Sequence, residues 1–99
     1  MTEAQHKNLV EQATIMMVDD EIIIVETLEN LLEDAGYKNF VSTTDPTEAI
    51  ELIQTKKPDI VLLDVMMPEV TGLELLETMG MDAELQHLPS IIITAATDS

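Results

Sequence analysis

Apolar residues along the chain fall into short runs, separated by longer stretches in which they recur every three or four positions. Three runs are rich in β-branched residues, and each ends at a polar or charged one. They are Thr14–Val18 before Asp19-Asp20-Glu21, Asp59–Leu63 before Asp64, and Ser90–Ile93 before Thr94. Uninterrupted apolar runs of this length predict strands buried on both faces, as in parallel sheets. Asn39–Thr43, alternating around Phe40 and Val41, predicts a weaker fourth strand.

The intervening stretches predict helices. Ile22–Ala35 has apolar residues at 24, 28, 31, 32 and 35 with Glu26, Glu29 and Glu33 between them, and it stops at Gly36, a natural C′ residue. Asp45-Pro46-Thr47-Glu48 reads as a capping box with Asp as the cap and Pro at N1, opening a helix to about Thr55. Thr71-Gly72-Leu73-Glu74 reads as a second capping box, with Leu73, Leu76 and Met79 on one stripe and Gly80 as the end. The order β-α-β-α-β-α-β predicts an α/β fold, a doubly wound parallel sheet with right-handed crossovers. Residues 1–13 read as a polar arm with room for a short helix through Leu9, Val10 and Ala13.

Composition narrows the functions. The chain has 99 residues, enough for one small domain, and its hydrophobic content of 45% supports a folded core. Twenty Asp and Glu against four Lys give a formal net charge of −16, which repels phosphate backbones and anionic headgroups. Nucleic acid and membrane surfaces are therefore poor partners, and cations or basic surfaces good ones. The absence of Cys excludes disulfides and thiolate chemistry, in keeping with a cytoplasmic location. The longest apolar runs, such as Ile22–Val25 and Ile60–Leu63, are far shorter than the ~20 residues that span a bilayer, and Met1–Glu11 has no signal-peptide core.

In open α/β sheets the functional crevice lies at the carboxyl ends of the strands. The unusual polar residues sit there: Asp19 and Asp20 after the first strand, Asp64 ending the third, Thr94 ending the fourth. Three carboxylates brought close together repel, and a bound cation relieves the repulsion. Oxygen-only ligands without His or Cys select a hard ion, Mg²⁺ or Mn²⁺. The plainer alternative is that Asp19 and Asp20 only cap the following helix, where the dipole favours negative charge. His6 and His87 lie in polar segments, and the seven Met are spread as core filling rather than as a ligand stripe.

The ordered set of motifs resembles a two-component response-regulator receiver domain of the chemotaxis-regulator type. Val18-Asp19-Asp20-Glu21 is similar to the family's acidic start, Asp59 to Pro68 with Gly72 to its phosphoacceptor strand and loop, and Ile91-Ile92-Ile93-Thr94-Ala95 to its switch strand. The resemblance implies a flavodoxin-like sheet of order 2-1-3-4. It implies Asp64 as phosphoacceptor and a Mg²⁺ (or Mn²⁺) site formed by Asp19, Asp20, Asp64 and the backbone carbonyl of Met66. It further implies phosphoryl contacts from the Thr94 hydroxyl and the Ala95 backbone N–H, with a sensor histidine kinase or phosphotransfer protein as partner. Such a domain is a phosphoacceptor rather than an enzyme, transferring phosphoryl at most to and from itself.

The family also has a fifth strand bearing a Lys, an aromatic switch residue before it, and fourth and fifth helices. No lysine of this chain matches that Lys, since Lys7, Lys38, Lys56 and Lys57 all precede Asp64. The expectation is an N-terminal arm over 1–13 and a C-terminally truncated receiver over 14–99, impaired in switching. Two other readings stand beside it: a non-switching structural or oligomerising remnant, and more remotely a Mg²⁺-dependent phosphohydrolase with an aspartate nucleophile. An open fourth-strand edge and a bare sheet face predict a homodimer, with cover by the Leu9–Ala13 arm as the monomeric alternative.

Overall fold

The computed structural model describes residues 1–64 and 72–93, the side chains of 72 and 73 excepted. In chain order the elements are α1 (Glu3–Gln12), β1 (Thr14–Val18), α2 (Ile22–Asp34), β2 (Asn39–Thr43), α3 (Ala49–Lys56), β3 (Ile60–Asp64), α4 (Gly72–Met81) and β4 (Ser90–Ile93). A single 3₁₀ turn, Pro46–Glu48, leads into α3. All strand pairs are parallel, as the alternating pattern predicts, and the sheet order is β2-β1-β3-β4, as the resemblance implies.

β1 is central and buried over Ile15–Val18, which explains its unbroken apolar run. Alternation along the strands divides the core into two layers. Met16, Val18, Val61 and Leu63 meet Ala49 and Ile53 of α3 and Leu75 and Met79 of α4. Ile15 and Met17 meet Val25 of α2, with Leu28, Leu32, Phe40, Ile60 and Leu62 packed around them. A fully buried Leu such as Leu63 contributes ~1.5–3 kcal/mol by its burial. The α2 layer thins toward β4, where Ile91, level with Leu62, is 50% exposed.

The helix ends follow the sequence in part. α2 closes in a Schellman motif: Gly36, at φ +105°, donates to Glu33 O at 3.0 Å, and Tyr37 N donates to Leu32 O at 3.0 Å. Gly80, by contrast, lies inside α4, which continues to Met81, and it needs no left-handed backbone. Among the described side chains of α4, Leu75 and Met79 are buried, so its inward stripe includes Leu75, a position outside the expected Leu73, Leu76, Met79 set; the Leu73 side chain lies outside the described residues. Thr71 of the predicted second capping box lies outside the described residues.

The Asp45 box forms only by half. Asp45 Oδ1 accepts from Thr47 N at 3.0 Å, whereas the Glu48 carboxylate turns to the Thr43 hydroxyl at 3.4 Å. The 3₁₀ turn is closed by Glu48 N donating to Asp45 O at 3.1 Å.

The arm forms the short helix for which the sequence left room, over Glu3–Gln12 with Ala13 as its C-cap. Thr2 and Gln5 form a complete capping box, with Gln5 N donating to Thr2 Oγ1 at 3.1 Å and Thr2 N to Gln5 Oε1 at 2.9 Å. α1 buries no residue. It is tied by Asn39 Nδ2 donating to Glu11 O at 2.9 Å and by a Lys38–Glu11 ion pair at 3.7 Å. These contacts hold it at the start of β2 and the end of α2.

Candidate metal centre

Register assembles the site. Val18 is level with Leu63 across the β1–β3 pair, so the next rung sets Asp19 beside Asp64. Both carboxylates therefore emerge at the carboxyl end of the sheet, and Asp20 follows directly. One oxygen from each of Asp19, Asp20 and Asp64 lies within 4.8 Å of the others. Asp19 is buried, Asp64 half-buried and Asp20 exposed, so the cluster has an anchored floor and a side open to solvent.

Asp19 is fixed from two directions. Its Oδ1 accepts from Glu21 N at 2.9 Å, and its own N–H donates to Thr43 O at 3.3 Å. Burial pushes its carboxyl from 3.8 up to about 6; the Glu21 N–H opposes this, and the charges of Asp64, Asp20 and Glu21 add to it. The N-cap of α2 is Glu21, whose side chain makes no capping bond, so Asp19 and Asp20 lie upstream of the helix cap. The pure capping alternative therefore leaves the clustering unexplained.

The donor set suits a hard divalent cation: three carboxylates, no nitrogen or sulfur ligand, and room on the solvent side for waters. Without such an ion, like charges within this distance add to the cost that burial already places on ionising Asp19. Of the residues expected from sequence, Asp19, Asp20 and Asp64 are brought together. Met66, Thr94 and Ala95 lie outside the described residues. Sequence reasoning passed over Thr43, the last residue of β2, which is buried and holds the Asp19 backbone. Its signal was position: a hydroxyl residue at the carboxyl end of a strand next to β1.

A parallel α/β domain with an acidic cluster at the ends of its central strands invites comparison with known proteins. Residues 15–99 match the family model of the response regulator receiver domain. The chain is 35% identical over 82 residues to the polar-differentiation response regulator DivK of Brucella anthropi, a match covering 83% of this chain and 66% of that protein. Its structure is similar to the N-terminal domain of a response regulator receiver protein from Methanoculleus marisnigri, with a TM-score of 0.80, 33% identity, and 89% of this chain and 71% of that one covered. It is also similar to the Vibrio cholerae chemotaxis protein CheY4, with a TM-score of 0.76, 31% identity and coverage of 87% and 71%.

The chain belongs to the response regulator receiver domain family, the signalling modules of two-component systems. It spans 66% of the length of the curated relatives it matches. Receiver domains work with histidine kinases or phosphotransfer proteins and are signalling domains rather than conventional enzymes. No helix among the described residues is long and apolar enough to cross a membrane.

Proposed function

We propose that this chain accepts a phosphoryl group on Asp64 in a two-component phosphorelay, with Mg²⁺ or Mn²⁺ held by Asp19, Asp20 and Asp64. The observation that carries this reading is the convergence of the three carboxylates within 4.8 Å at the carboxyl ends of β1 and β3. A bound divalent ion would supply neutralisation of the transferring phosphoryl oxygens. The protein's part is to hold Asp64 at the mouth of the site and to orient the Asp19 carboxylate beside it through the Glu21 N–H. An oxygen of Asp64 forms the new P–O bond. The bond to the donor's leaving atom, an imidazole nitrogen of a phosphohistidine, breaks, and its electron pair stays with the nitrogen.

By the family's pattern, Met66 would add its backbone carbonyl to the ion, and the Thr94 hydroxyl and Ala95 N–H would contact the phosphoryl group. No lysine lies between Asp64 and Ser99, so within this span charge neutralisation rests on the cation. The receiver segment is 14–99, with residues 1–13 as an appended helix. A basic kinase or phosphotransfer surface suits the net charge of −16. Ile22 and Ile23, directly after the acids, are 54% and 73% exposed and offer that partner an apolar contact.

Incubation with acetyl phosphate tests the reading. Intact-mass spectrometry should show one added phosphoryl group in Mg²⁺, none in EDTA, and none for Asp64→Asn. No adduct under any condition would favour the structural-remnant reading.

A further inference from the structure

Thr43 is the one buried hydroxyl at the carboxyl end of the sheet among the described residues, and it sits between the candidate metal centre and the start of α3. Its carbonyl accepts the Asp19 N–H at 3.3 Å, the last link from β2 to β1 before the acids begin. Its hydroxyl is pinned on the other side. Oγ1 accepts from Asp45 N at 3.0 Å and lies 3.1 Å from Asp45 O and 3.4 Å from Glu48 Oε2. A continuous chain therefore runs from the β2–α3 corner through Thr43 to the Asp19 backbone, and from there to the Asp19 carboxylate, which the Glu21 N–H orients at 2.9 Å.

We propose that Thr43 is a positioning residue for the metal centre: its hydroxyl fixes the end of β2 and so sets where Asp19 presents its carboxylate. The proposal rests on the cation-site reading given above. Hydrogen-bonded groups behind metal ligands hold them in place, and their removal costs about 10–100-fold in metal affinity. Thr43 acts through the main chain rather than on the carboxylate itself, which places its effect at the low end, about tenfold. Thr43→Val keeps the shape and burial of the side chain. The groups it leaves unpaired belong to Asp45 and Glu48, which are exposed and can turn to water, so the variant should fold.

The test is an amide NMR series on wild type, Thr43→Val, Thr43→Ser and, as a control on the same strand, Ser42→Ala at an exposed position. In EDTA, Thr43→Val should speed hydrogen exchange of the Asp19 amide, while Thr43→Ser and Ser42→Ala should not. On titration with Mg²⁺ alone, wild type should shift saturably at Asp19, Asp20 and Asp64, Thr43→Val should need about tenfold more Mg²⁺, and Thr43→Ser should restore the affinity. A Thr43→Val protein with wild-type Asp19 exchange and wild-type Mg²⁺ affinity overturns the proposal. If wild type shows no saturable shift, the cation site is refuted; unchanged Asp19 exchange in Thr43→Val would then overturn the positioning role separately.

Discussion

Replacing Asp19 by Asn should stabilise the metal-free protein at neutral pH. Asn keeps an oxygen to accept the Glu21 N–H and removes the buried charge. The Asp19 carboxyl titrates at about 6 in the fold against 3.8 in its absence, a raised value, so the folded state binds the extra proton between these limits. Stability from this group therefore falls as pH rises through that window. The cost of ionisation is absent below 3.8 and complete above about 6. At 1.36 kcal/mol per pH unit the gap corresponds to about 3 kcal/mol, and to about 1–2 kcal/mol once solvent reaching the open side of the cluster is allowed for. For a domain of this size, that is a rise in melting temperature of roughly 4–15 °C. The assay is thermal melting by circular dichroism in EDTA from pH 4 to pH 7.5, reading the difference between variant and wild type so that other carboxylates cancel. The difference should be largest at pH 7.5 and shrink toward pH 4. A variant no more stable than wild type at pH 7.5, or a difference independent of pH, would refute the reasoning.

Millimolar Mg²⁺ should stabilise the wild type, by ~2.7 kcal/mol at one hundred times the dissociation constant, and so raise its melting temperature, whereas Asp64→Asn should melt higher in EDTA and gain little from Mg²⁺; identical wild-type melts in EDTA and Mg²⁺ would contradict a metal site. Gly36→Ala should lower stability by about 1–2 kcal/mol in urea titrations, because φ +105° strains any side chain and the new Cβ would lie 3.3 Å from Val10 Cγ1. An unchanged midpoint would show that the α2 end is less constrained than its geometry implies. The 99-residue chain should form a homodimer through the β4 edge, where Ile91 is half-exposed, and Ile91→Lys should weaken it. Light scattering that gives an 11.0 kDa species at both low and high salt and at high protein concentration would rule this out.

The central strand was legible because it is buried on both faces, and Thr14–Val18 is an apolar run that only such burial demands. Asn39–Thr43 and Ser90–Ile93 also coincide with strands, although β2 and β4 keep exposed positions. Gly36 was legible for the same kind of reason: a positive φ at C′ is a local demand that one residue type meets. Gly80 carried the same letter without the demand, and only the packing of Leu75 and Met79 shows that α4 continues through it. The Thr2–Gln5 capping box was readable, yet the helix it opens buries nothing, so no apolar stripe announced its length. At the site, residue types pointed to Asp19, Asp20 and Asp64, but their meeting depends on strand register, and a one-residue slip would have separated them. Thr43 escaped notice because its role passes through its backbone carbonyl, which every residue possesses.

Chemical trapping tests the central claim most directly. An aspartyl phosphate is an acyl phosphate, and borohydride reduces its carbonyl carbon to an alcohol, leaving homoserine where the aspartate stood. After treatment with acetyl phosphate and Mg²⁺, then borohydride, peptide mapping should find homoserine at position 64 and at neither 19 nor 20. Homoserine at position 19 or 20 in place of 64 would contradict the assignment of Asp64 as the phosphoacceptor.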